Sequence, residues 1–149
     1  MKQEWTSRYQ RAVLSALLRG LLNVQPETLD SSLFTEARES LSDMILSHRE
    51  RRFEWPSSDY LYDLIDQLLP KKRKKLEREL DEVLDIPLGE VKDAGEEAGA
   101  VMRRQAISLA AIELEDLAEE GEEEDLEKAK TIVARALNVG TRSGATAGY

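Results

Sequence analysis

Apolar residues recur along this chain at intervals of three and four, the spacing that gives a helix one buried face. Residues 4–22 place Trp5, Tyr9, Ala12, Val13, Ala16, Leu17 and Leu21 on one side of a helix. Leu14, Leu18 and Leu22 widen that face until a thin polar stripe of Arg8, Arg11, Ser15 and Arg19 remains. A helix apolar round most of its circumference packs centrally in a bundle or against another subunit. Trp5, Leu14 and Leu18 are therefore candidates for helix packing or a partner interface. Pro26 and the polar residues 23–30 break the pattern.

Asp30, Ser31 and Ser32 offer N-caps for a second helix, with a seam of Phe34, Ala37, Leu41, Met44 and Ile45 that Pro56 stops. Ser57 or Ser58 caps a third, whose stripe is Leu61, Leu64, Ile65, Leu68 and Leu69. Pro70 either opens a new helix, where its missing N–H costs nothing, or kinks one longer helix. Leu76, Leu80, Val83 and Leu84 continue the seam in both cases, until residues 85–89 (DIPLG) end it. A further helix over residues 90–118 starts with Ala94, Gly95, Ala98, Gly99 and Ala100, then thickens through Ile107, Leu109, Ala110, Ile112, Leu114 and Leu117. Two glycines cost a helix about 2 kcal/mol relative to alanine. A tight crossing or a bend would offset that, so Gly95 and Gly99 join the packing or interface set. Gly121 centres an acidic turn, and Leu126, Ala129, Ile132, Val133, Ala136 and Leu137 mark the last helix.

No segment alternates with period two. The expected fold class is all-α: a single-domain helical bundle of five to six helices over residues 1–140, with residues 141–149 as a flexible C-terminal tail.

Composition narrows the chemistry. The 149 residues include no cysteine, which removes disulfides, thiolate catalysis and cysteine-type zinc sites, and suits a reducing compartment. No apolar run approaches the ~20 residues that cross a bilayer. Residues 1–11 carry Glu4 and Arg8 ahead of the apolar stretch, unlike a secretory leader. A cytoplasmic protein without a membrane partner is expected.

Catalytic and cofactor sites are not expected. His48 is the single histidine, and it continues the seam of the second helix through Leu41 and Ile45. The Glu-x-x-His pairs of di-iron bundles are missing, as are phosphate-binding and dinucleotide-binding glycine motifs. Residues 116–127 place Asp116, Gly121 and Glu127 at positions one, six and twelve of a calcium loop. Ala118 replaces the ligand at position three, however, and Glu123 stands where an apolar anchor packs. No metal site is assigned.

The net charge of -9 conceals three basic clusters. Arg8, Arg11 and Arg19 form a stripe, and Arg49, Arg51 and Arg52 lie beside Phe53 and Trp55. Lys71, Lys72, Arg73, Lys74 and Lys75 run consecutively after Pro70. Cations beside aromatic rings suit phosphate contact and base stacking. On a solvated helix, Arg73–Glu77, Lys75–Glu79 and Arg78–Glu82 would instead be i,i+4 pairs. If Pro70 opens a helix, the run opposes the helix dipole, so it serves contact rather than fold.

These residues support a non-enzymatic assembly or adaptor subunit of a larger complex, partnered by other protein subunits or by copies of itself. Trp55 belongs with its interface residues. The alternative is a small subunit of a nucleoprotein machine that contacts the nucleic-acid backbone without reading sequence. In size and composition the chain is similar to helical subunits of CRISPR effector complexes and of phage head–tail assemblies.

Overall fold

The computed structural model describes residues 4–121 and 123–139. They form six α-helices: α1 (Ser7–Leu18), α2 (Ala37–Arg52), α3 (Ser58–Asp66), α4 (Pro70–Leu84), α5 (Leu88–Glu120) and α6 (Asp125–Asn138). Two 3-10 turns, Pro26–Thr28 and Ser31–Leu33, join α1 to α2, and no strand occurs among the described residues. The fold is an all-α bundle. The tail expected over residues 141–149 lies outside the described residues.

Helix α1 is the hub, with α5, α4 and α2 packed around it. Ala12, Val13, Leu14 and Ala16 are all 0% exposed, as a helix apolar on most sides requires. It is shorter than the pattern suggested. The Thr6 hydroxyl accepts from the Tyr9 N–H at 3.1 Å and sets its start. Gly20, at φ 69°, sets its end. Its N–H bonds Leu17 O while the Leu21 N–H reaches back to Ala16 O, the paired bonds of a Schellman cap. Ser15 is fully buried rather than part of a polar stripe, and its hydroxyl has no partner among the described residues.

The start of α2 also departs from expectation. Asp30 caps the second 3-10 turn, accepting from the Ser32 N–H at 3.0 Å, and the chain turns again before α2 begins. That turn forces Glu36 to φ 56°, ψ -137°, a region that favours glycine. Glu36→Gly is expected to raise stability by about 1 kcal/mol, because relief of backbone strain outweighs the loss of the exposed Glu36 carboxylate from the buried Arg38, whose charge Glu79 still pairs. A thermal melt followed by circular dichroism should rise by roughly 2–4 °C.

Ser57 caps α3 by accepting from the Tyr60 N–H. Leu61 and Ile65 enter the core, but the chain leaves the helix after Asp66 and turns Leu69 outward, 78% exposed. Pro70 then occupies the first turn of α4, so it opens a helix and does not kink one. In α5, Val91, Ala94, Ala98, Val101 and Met102 are buried against the hub. Of the expected thickening beyond them Ala110 joins the core, while Ile107 is 45% and Ile112 58% exposed. This second half of α5 pairs with α6 as a hairpin whose buried contacts come largely from Ala106, Ala110, Ala136 and Val139. No helix among the described residues is long and apolar enough to cross a membrane.

Candidate functional site

The three basic clusters meet different fates. The α1 stripe is engaged from within. Arg8 pairs with Glu90 at 2.8 Å, and Arg19 donates to Leu84 O at 3.4 Å. Arg11 bonds Glu79 at 2.6 Å and Glu82 at 2.7 Å. The hydrogen bond to Glu79 leads the causes that raise the Arg11 pKa, ahead of the opposing effect of burial. Neighbouring carboxylates thus hold its charge firmly.

Glu79 belongs to a buried network that the basic clusters did not reveal. Arg38, 1% exposed, donates to Glu79 at 3.1 Å and to the Gln10 side-chain oxygen at 3.1 Å. Its remaining terminal nitrogen reaches Ser7, Thr35 and Glu36. Gln10 also accepts from the Thr35 N–H at 3.0 Å. A buried guanidinium is tolerable when its donors are met and its charge is paired, and here both conditions hold. The network joins α1, α2 and α4 and is structural.

The second cluster closes α2. Arg49 donates to the Phe53 carbonyl and lies 5.1 Å from the Trp55 ring centroid. Arg51 donates to Ser47 O, and Arg52 is exposed. Cations in a last turn complement the helix dipole, so the fold itself accounts for them. Phe53 is in the left-handed region at φ 58° and is 82% exposed. His48 is buried, its ring 4.7 Å from that of Tyr60 and its Nε2 3.7 Å from Glu54.

The third cluster is different. The first turn of α4 contains Lys71, Lys72 and Arg73, no acid, and no capping side chain at Leu69. Lys71, Lys72, Lys74 and Lys75 are exposed, and none makes an ion pair or hydrogen bond among the described residues. The pairs Arg73–Glu77, Lys75–Glu79 and Arg78–Glu82 do not form: Glu79 and Glu82 turn toward Arg11 and Arg38, and Glu77 bonds Asp66. Each cation near a helix N-terminus opposes the dipole by about 0.3–1 kcal/mol at low salt. Lys72, Lys74, Lys75 and Arg78 line a groove of about 1000 Å³ whose far wall is Ala37 and Ser40. Arg49 lines a separate groove with Pro26, Leu29, Leu46 and Phe53, so the second and third clusters do not share one cavity.

The groove is not purely cationic, since Glu77 and Asp81 also line it. A hydrogen bond with Asp66 holds the Glu77 carboxyl above the usual range, with burial and the Asp66 charge adding to the effect. Tyr62 donates to Asp81, and burial followed by that bond pushes its hydroxyl up to about 12. Tyr9 is likewise pushed up to about 12, chiefly by burial. Neither phenol exchanges protons near neutral pH.

The other candidate interface residues turn inward. Trp5 donates to Leu33 O at 2.6 Å and packs on Tyr9 and Phe34. Leu14 is fully buried, Leu18 partly so, and Trp55 is half-buried under Arg49. Gly99 is buried, and Gly95 admits the backbone of residues 21–23. The apolar surface that does face outward was not singled out beforehand. Leu126, Val133 and Leu137 are 61%, 41% and 61% exposed, and their spacing puts them on one face of α6. The calcium-loop pattern resolves into a helix end: residues 116–120 continue α5, and Gly121 is its left-handed cap. No protein family, curated protein or solved structure matches this chain.

Proposed function

We propose that the chain is a non-enzymatic assembly or adaptor subunit that engages protein through the α5–α6 hairpin. The observation that carries this reading is the outward apolar face of Leu126, Val133 and Leu137, with Ile107 and Ile112 exposed on α5. Exposed apolar side chains grouped on one helix face suit a protein interface better than solvent. A cytoplasmic setting suits a chain without cysteine.

The test is a photo-crosslinking amino acid placed in the full chain at Val133 or Ile112, activated in the source cell. A discrete crosslinked protein species is expected from both, and none from the same residue at Asp63 on the exposed side of α3. Absence of any discrete species from Val133 and Ile112 would overturn the reading.

A second reading, contact with a nucleic-acid backbone, is favoured by the four unpaired lysines of α4. It draws less from the other clusters, where Arg8, Arg11 and Arg49 are engaged by Glu90, Glu79, Glu82 and the Phe53 carbonyl. Fluorescence anisotropy of labelled oligonucleotides across a salt series tests it, through the slope that counterion release imposes.

A further inference from the structure

We infer that the basic start of α4 docks onto the acidic, apolar α5–α6 hairpin of a second copy of this chain, joining copies head to tail. This rests on the assembly reading and names its partner. Two surfaces that find no partner among the described residues have complementary chemistry. The first is the start of α4, where four lysines without ion pairs among the described residues follow Leu69, 78% exposed. The second is a face of α5. There Ile112 is 58% exposed, and Glu115, Asp116 and Glu119 follow it at intervals of three, four and seven. All three carboxylates are exposed and make no ion pair among the described residues.

The asymmetry extends along the hairpin. Residues 113–127 contain ten carboxylates and no cation. Such a surface repels phosphate but suits lysines. Conversely, an exposed leucine amid the lysines suits a partner that brings apolar side chains along with its carboxylates. Nucleic acid offers charge but no match for Leu69 of that kind. The α4 terminus adds a further term. Its first-turn N–H groups have no capping side chain, so a carboxylate delivered there meets the missing cap, the dipole and the lysines together.

Because the two surfaces differ, the contact is heterologous. Each copy keeps one free end of each kind, and closure into a ring or growth into a filament follows from the angle of docking.

Sedimentation velocity of the full chain across a concentration series tests this. Mass should rise with concentration at low ionic strength and fall to the monomer near 1 M salt, where screening acts within about 3 Å. Two charge-reversed variants separate the surfaces: K71E/K72E/K74E/K75E, and E115K/D116K/E119K. With helical content unchanged, each alone should associate more than about tenfold more weakly, since like charges then face each other. An equimolar mixture should regain association, because each variant now complements the other. A wild-type chain that stays monomeric at low salt, or variants that associate as wild type does, would sink the proposal. Lysine-dependent oligonucleotide binding by a monomeric wild-type chain would also overturn it, in favour of polyanion contact. A crosslink at Val133 to a different protein, found with a monomeric chain, would remove the self-docking and leave the assembly reading standing.

Discussion

Arg38→Met is expected to destabilise the bundle by about 3–5 kcal/mol, the usual cost of removing one member of a buried ion pair. Arg38 is 1% exposed, and Glu79, 4% exposed, would remain inside with one fewer cation. Gln10 and Thr35 would also lose a bonding partner. Domains of this kind hold roughly 5–15 kcal/mol in total, so the loss is a large share of it. Urea denaturation followed by far-UV circular dichroism measures the effect directly. Should the methionine variant fail to fold, Arg38→Lys gives a milder reading, since one ammonium cannot span Gln10, Glu79 and Ser7 as the guanidinium does. The double variant Arg38→Met with Glu79→Leu provides the decisive comparison. It should be less destabilised than the sum of the single changes, because no buried carboxylate is then left beside the vacated position with Arg11 as its one remaining cation. Strict additivity would show that the two side chains do not act as a pair.

Gly95→Ala is the second large effect, and its sign is the informative part. In an exposed helix interior, glycine to alanine gains about 1 kcal/mol. At Gly95 an added Cβ would stand 2.3 Å from the backbone oxygen of Leu21 and 3.1 Å from its carbonyl carbon. Those atoms cannot swing aside as a side-chain end could. Asn23 also donates to the Gly95 carbonyl at 3.1 Å, which fastens the same loop to the same turn of α5. Overpacking here should cost about 1–3 kcal/mol net and lower the urea midpoint. Gly89→Ala is the control on the same helix. Nothing lies within 4 Å of its added Cβ, so a gain of about 0.4–1 kcal/mol is expected. Equal effects at the two positions would contradict the close approach at Gly95.

The helical class was legible from spacing alone, and so was the buried character of α1, because a three-and-four rhythm has no competing strand interpretation. The boundaries were less legible. Gly20 ends α1, but Leu21 and Leu22 continue the apolar rhythm beyond it, so spacing alone overruns the boundary. Asp30 looked like a helix cap and is a cap, though of a 3-10 turn. Side-chain chemistry at a terminus does not specify how far the helix goes on. The buried network is hard to see in sequence for a related reason: charges there group first by adjacency, and adjacency marks surface clusters. Its signal was nevertheless present. Arg38 lies three residues before Leu41, and Glu79 lies three after Leu76 and four before Val83, so both interrupt apolar seams. Opposite charges on two seams are what a buried pair looks like in one dimension. The exposed face of α6 could not be foreseen this way. An apolar stripe in sequence is the same whether another helix covers it or not.

The network around Glu79 also bears on which packing the chain can adopt. Leucine and alanine seams tolerate sliding, since one apolar turn resembles the next. A slip of α2 against α4 by one turn, about 5.4 Å, would still set apolar residues such as Leu41 and Ile45 against the α4 seam of Leu76, Leu80 and Val83. It would also leave a guanidinium and a carboxylate inside the protein without each other. The penalty for that mismatch falls on the slipped arrangements and spares the native one, so the ion pair widens the energy gap between them. Its main contribution is a unique register for a bundle whose apolar residues would accept several.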